Sequence, residues 1–196
     1  NFDHDGVRLH YVDWGPTGAP PMLLLHGLRD SARSFDEFAA AMRGDHHVVA
    51  LDSRGHGDSE WAGSGAYRFE DLVSDVGATV DHLSATHGRD LVLVGHSAGG
   101  RYAWVYAIEH PEVVRALVIV DIDPDPINPQ TQRDFAAFDA EPFVWDSLDP
   151  VNEKLRNRPM FATDDMVRRQ TEAITRDHPA GGDLVGQADS RQDEDQ

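Results

Sequence analysis

Residues 22–25, 47–51, 91–94 and 113–120 are apolar nearly throughout, as strands covered on both faces have to be. Stretches with a helical period lie between them. From Ser34 to Met42 the apolar positions Phe35, Phe38, Ala39 and Met42 share one side. From Phe69 to His87 a longer pattern puts Leu72, Val76, Val80 and Leu83 on one face together with Phe69 and Val73. Gly88 then stands where a C-terminal cap belongs. Residues 101–110 form a third helical stretch. At the N-terminus, residues 2–7 read as a hairpin turn and Val7 to Trp14 as the strand that follows. Its alternation is imperfect, because Val7, Leu9 and Tyr11 are offset from Val12 and Trp14. Apolar strands alternating with helices predict an α/β fold: a three-layer, doubly wound, mostly parallel sheet.

Beyond Val120 the pattern breaks. Asp121-Ile122-Asp123-Pro124-Asp125-Pro126-Ile127-Asn128-Pro129 is too rich in proline for regular structure. Short helices are predicted over 135–138, 142–155 and 165–175, and no internal repeat is visible. Residues 183–196 form a polar tail with little pattern, expected to be disordered. The expected organisation is a core over 1–124, a helical cap segment over 125–182, and the tail.

Composition narrows the possible partners. The chain has 196 residues, 40% of them hydrophobic, enough for one domain with a sizeable core. Acidic residues outnumber basic ones 35 to 17, for a formal net charge of −18, and Lys154 is the sole lysine. Such a chain repels nucleic acid and anionic membranes, so neither is expected as a partner. There is no apolar run long enough to span a bilayer and no secretory pattern at the start, so a cytoplasmic location is expected. The absence of cysteine rules out disulfides and thiolate metal sites. Pairs such as His46-His47 lack the ligand spacing of a metal site, so neither a metal nor a cofactor is expected.

Candidate chemistry concentrates after the strand at 91–94. There Gly95-His96-Ser97-Ala98-Gly99-Gly100 sets a serine on a very tight strand-to-helix turn. In such a turn the two glycines remove Cβ atoms where strand and helix would collide, and the serine is held exposed in a strained conformation. A serine capping the following helix would fit the same place. Two further motifs precede it in order: Leu24-Leu25-His26-Gly27-Leu28, and Asp52-Ser53-Arg54-Gly55-His56-Gly57-Asp58-Ser59.

Together the three motifs resemble the α/β-hydrolase fold, in its compact esterase-like branch, from about Gly6 to about Pro124. They would follow that fold's third, fourth and fifth strands. The resemblance implies Ser97 as nucleophile and the backbone N–H groups of Leu28 and Ala98 as the oxyanion hole. It gives His26 and His56 the task of bracing the oxyanion loop, turns His96 away beside the nucleophile, and makes Asp52 and Arg54 loop stabilisers, with a buried salt bridge among them an open expectation. Relatives that open epoxides or displace halide carry an aspartate where Ser97 stands. A serine implies acyl transfer instead, with a small-molecule ester or related acyl compound as substrate.

The family pattern also calls for an acid after the seventh strand and a histidine after the eighth. Neither is found. Asp121, at the end of the sixth strand, is the candidate acid, His178 has no preceding apolar strand, and His110 reads as a C-terminal dipole partner. The chain is accordingly expected to be a fragment that stops in the cap, with its sixth strand an open apolar edge and its general base missing. Three functions stay open on this reading: a serine hydrolase, a non-catalytic small-molecule-binding protein on the same fold, and an inactive truncated product.

Overall fold

A computed structural model describes residues 1–16, 18–63, 65–87, 90–122, 133, 144–157, 163–177 and 184–186. Six strands form one sheet. They are β1 (Phe2–His4), β2 (Val7–Asp13), β3 (Pro21–Leu25), β4 (His47–Asp52), β5 (Leu91–His96) and β6 (Val114–Val120), in the order β1-β2-β4-β3-β5-β6. The first two pairings, β1 with β2 and β2 with β4, are antiparallel; the three from β4 through β3 and β5 to β6 are parallel. The mostly parallel α/β sheet predicted from the apolar runs is what forms.

Strand periodicity divides the core into two layers. Leu23 and Leu25 of β3, with Val49 and Leu51 of β4 and Leu91 and Leu93 of β5, face helices α2 (Phe69–His87) and α3 (Ala98–Glu109). Met22, Leu24, Val48, Ala50, Val92 and Val94 face the opposite way. There they meet Ala32 of a short 3₁₀ turn (Ala32–Phe35) and Ala39 of α1 (Asp36–Met42). The irregular alternation of β2 has the same origin. Val7 and Leu9 belong to the first layer and Val12 to the second, so the far end of this strand is covered on both faces.

Several elements differ from the sequence reading. Helix α3 begins at Ala98 rather than Arg101, because the Ser97 carbonyl accepts hydrogen bonds from both the Gly100 and Arg101 amides. Two glycines of low helix propensity concealed that first turn. Among the described residues of the segment 142–155, the helix starts at Asp149 and runs to Arg156 (Asp149–Arg156, α4), and Val144–Trp145 is a strand (β7). Its β-branched and aromatic residues pair with Leu184–Gly186 (β9), which lies in the tail expected to be disordered. Thr175–Asp177 (β8) completes this second, three-stranded sheet. Helix α5 (Asp164–Ile174) starts where Thr163 caps it, its side chain accepting from the Met166 amide at 3.2 Å. Helices α4 and α5 share a small apolar cluster of Val151, Leu155 and Val167. The helix expected at 135–138 and the residue His178 lie outside the described residues.

At the other edge of the main sheet β6 has, among the described residues, one strand neighbour, β5. Leu117, Val118 and Val120 stand 36%, 45% and 44% exposed, on both faces of this edge strand. An unpaired apolar edge templates intermolecular pairing, and an edge charge is the usual protection. Val118→Lys is therefore expected to lower light scattering of concentrated solutions while leaving the far-UV circular dichroism spectrum unchanged. Equal scattering by both proteins would show that association does not run through β6.

Candidate active site

The C-terminal ends of β3, β4 and β5 gather the three motifs at one edge of the sheet. At the end of β5 the chain turns sharply into α3. Ser97 forms the turn, with φ 51° and ψ −121°, a backbone conformation rarely tolerated outside glycine. The turn depends on its glycines. A Cβ on Gly99 would overlap the Leu25 and His26 carbonyl oxygens at the end of β3, and one on Gly95 would strike Gly99 and Gly100. The Ser97 amide donates to the Val120 carbonyl of β6 at 2.9 Å, so a third strand fixes the turn from its other side.

Ser97 stands at the N-cap position of α3, yet its side chain makes no capping hydrogen bond. The capping role left open by the sequence is not what this hydroxyl does. Among the described residues Ser97 Oγ has no hydrogen-bond partner, and the same holds for the amides of Leu28 and Ala98. The β3 loop lies against the serine: a Cβ on Gly27 would stand 3.1 Å from Ser97 Cβ and 3.1 Å from His96 Nδ1.

Two buried histidines hold that loop. His26 Nδ1 donates to the Gly27 carbonyl at 2.7 Å, and its Nε2 accepts from the Ser53 amide at 3.1 Å. His56 Nε2 accepts from the Arg29 amide at 3.1 Å, and its Nδ1 donates to the Arg54 carbonyl at 3.3 Å. These partners assign the Nδ1–H tautomer to both rings. Arg29 itself has φ 54°, so the loop carries a second strained residue beside Leu28. Both histidines are thereby occupied in joining the β3 loop to the β4 loop.

The β4 loop is anchored in turn. Asp52 accepts from the Ala32 amide at 2.7 Å, the Asp58 amide at 3.2 Å and His10 Nδ1 at 2.7 Å. Burial works to raise its pKa, but the His10 bond, the His26 ring and the two amides outweigh burial and hold the carboxyl below its ordinary range. Arg54 forms the buried salt bridge, and its partner is Asp75 of α2. Nε and Nη2 reach the two carboxylate oxygens at 2.7 Å each, while Nη1 donates to the Ala66 carbonyl at 2.7 Å. Burial pushes the Asp75 carboxyl up, and the guanidinium pulls against it. Asp75 was not singled out in the sequence. Its signal was a charged residue on the apolar side of an amphipathic helix.

The remaining candidates make other contacts. Asp121 has φ 53° and a carboxylate 86% exposed, 3.7 Å from His96 Nε2. His110 ends α3, its ring against Tyr106 with centroids 4.5 Å apart. His47 Nε2 meets Asp13 at 2.7 Å. His10, Asp52 and Asp58 bring ligand-type atoms within 4.8 Å of one another. Asp52 already accepts three hydrogen bonds there and His10 Nδ1 is spent on one of them, so these atoms serve the loop.

A sequence profile described as the alpha/beta hydrolase fold matches residues 20–155. The chain belongs to this family. Over 117 residues it is 36% identical to epoxide hydrolase 4 of Mus musculus, covering 59% of this chain and 32% of that protein. Over 112 residues it is 38% identical to the sn-1-specific diacylglycerol lipase ABHD11 of the same species, covering 56% and 35%. The bifunctional esterase/perhydrolase DCH of Acinetobacter calcoaceticus is 32% identical over 163 residues, covering 82% and 55%. The matches thus take in between 32% and 55% of these curated relatives' own length. Among solved structures, E-2-(acetamidomethylene)succinate hydrolase superposes with a TM-score of 0.81 at 24% identity, covering 97% of this chain and 68% of that one, a likeness of fold. Among the described residues no helix is long and apolar enough to cross a membrane.

The Arg54–Asp75 bridge gives a stability prediction. Arg54→Met leaves a buried carboxylate uncompensated and is expected to cost about 3–5 kcal/mol in urea unfolding. Adding Asp75→Leu should recover most of that loss; a double variant as unstable as the single one would show that the arginine acts otherwise. Asp52 sets a pH dependence. With a folded pKa below 3.8, its stabilisation is complete above that value and is lost as pH falls through the lower folded one. Acid unfolding of Asp52→Asn should therefore lack this part of the pH slope.

Proposed function

We propose that this chain carries the nucleophile and oxyanion donors of a serine hydrolase acting on a small ester or related acyl substrate. The observation that carries the reading is Ser97 itself, held at φ 51° on the β5–α3 turn with its hydroxyl excluded from helix capping. Attack by Ser97 Oγ on an acyl carbonyl forms the acyl-enzyme and expels the alcohol, and water then releases the acid. The negative charge on the carbonyl oxygen falls to two main-chain amides, Leu28 in the braced β3 loop and Ala98 at the head of α3. Arg169 joins the helical pair α4 and α5 to α1 through Asp36 and Glu37.

The similarity to epoxide hydrolases does not carry their substrate over. Opening an epoxide with a serine would leave an ether, which water does not cleave under mild conditions. A carboxylate nucleophile would instead leave a hydrolysable ester. Position 97 holds a serine, and that chemistry favours acyl transfer.

Activation of the serine is a separate matter. Among the described residues no histidine bonds Ser97 Oγ. This observation favours a second reading, a ligand-binding protein on the same fold. A fluorophosphonate probe separates the two. Labelling of Ser97 that vanishes in Ser97→Ala, with slow p-nitrophenyl acetate turnover lost in the same variant, is the expected result. No labelling, together with thermal stabilisation by small esters that survive intact, would favour the binding protein.

A further inference from the structure

Away from Ser97, the outer side of the α2/α3 layer carries an open groove of about 870 Å³, bounded by β1, α2 and α3. Its floor is apolar or small: Phe69, Val73, Gly77 and Ala78 from α2 and Val105 from α3, all half-buried. Tyr106 closes the bottom, its ring 3.4 Å from where a Cβ on Gly77 would stand. The rim is made of Asp3, Glu70, Asp81 and Glu109, all exposed. Among the described residues lining the groove there is no lysine or arginine; His4 and His110 are the other ionisable groups besides Tyr106. The Arg101 guanidinium lies 5.5 Å from the Phe69 ring centroid at one end. From Glu70 to Asp81 the groove runs about 17 Å along α2, three helical turns.

We propose that this groove docks a short, basic amphipathic helix of a partner protein. An apolar trough about three turns long, with small residues at its centre, accepts one face of a helix by close approach of the two backbones. Four carboxylates around the trough then meet lysine or arginine on the flanks of the incoming helix and exclude acidic ones. A second copy of this chain is a poor occupant, since each copy carries a formal net charge of −18. An anionic lipid surface is repelled by the same rim. The carboxylates are spread along the groove, not converged on one point, so the arrangement suits a distributed cationic partner and not a single metal ion. The inference is independent of any activity of Ser97.

The test uses the whole chain and a fluorescein-labelled 14-residue peptide of leucine and lysine patterned as an amphipathic helix, followed by fluorescence anisotropy. Binding is expected, with little or none by the matching leucine–glutamate peptide. Asp81→Lys combined with Glu109→Lys should weaken binding by about tenfold or more. The same charge change away from the groove, Asp45→Lys with Glu153→Lys, should alter it by less than about twofold. The neutral pair Asp81→Asn with Glu109→Gln, gentler on folding, should give an intermediate loss. Ala78→Gln, which fills the floor without changing charge, should weaken binding too. The proposal is overturned if the lysine peptide does not bind, if the distant charge change matters as much as the groove change, or if Ala78→Gln has no effect. That last outcome would mean general polycation attraction and no docking groove.

Discussion

The contact on which the functional edge depends is a backbone collision avoided. At Gly99 the first turn of α3 passes so close to the end of β3 that no side chain fits between them. This brings the head of α3, carrying Ala98, beside the β3 loop, carrying Leu28. A strained serine sits between the two. The strain at Ser97 is offset by hydrogen bonds on both sides, its amide to β6 and its carbonyl to α3, and by the core that fixes β5. Rigid elements do the positioning, so two backbone amides and one hydroxyl can stand without partners among the described residues and the loops keep their shape.

Around this contact the protein buries polar groups that an apolar core would have made easier to fold. His26, His56, Asp52 and Arg54 are each about 98–99% removed from solvent. Every one of them bonds to a loop amide or carbonyl, or to a residue that does. Their combined effect is directional. The β3 loop is tied to the β4 loop through two imidazoles, and the β4 loop to α2 through a two-pronged guanidinium. A hydrophobic substitution at these positions would leave loop amides or carbonyls without partners, each at a cost of about 1–3 kcal/mol. What these residues supply is loop shape, on which any oxyanion site built from main-chain amides depends.

The fold was legible in the sequence because its strands are covered on both faces. Continuous runs such as Met22-Leu23-Leu24-Leu25 have no other stable home. The elbow was legible for a similar reason, since glycine spacing reports steric contact directly. Pairings between distant groups were not. Asp75 as the partner of Arg54, and His10 as that of Asp52, depend on how α2 and β2 lie across the β4 loop, and no local pattern encodes that. The first turn of α3 was hidden by the same glycines that make the elbow possible. After Val120 the apolar signal thins. Two- and three-residue strands such as Val144–Trp145 are too short to show a period, and they form only because Leu184–Gly186 pairs with them.

Charge and edge pull against each other in the finished molecule. Among the described residues no strand pairs with the outer side of β6, which presents apolar side chains, the features that invite a strand from another molecule. A formal net charge of −18 opposes that approach, but only over distances that salt leaves unscreened, about 8 Å at physiological ionic strength. Interstrand hydrogen bonding takes place at about 4.8 Å, so only charges close to the edge act on the final approach. Net charge therefore slows encounters without blocking the final pairing. Protection of this edge has to come from local features, a charge on the strand itself or a covering segment, and the overall acidity of the chain does not substitute for either.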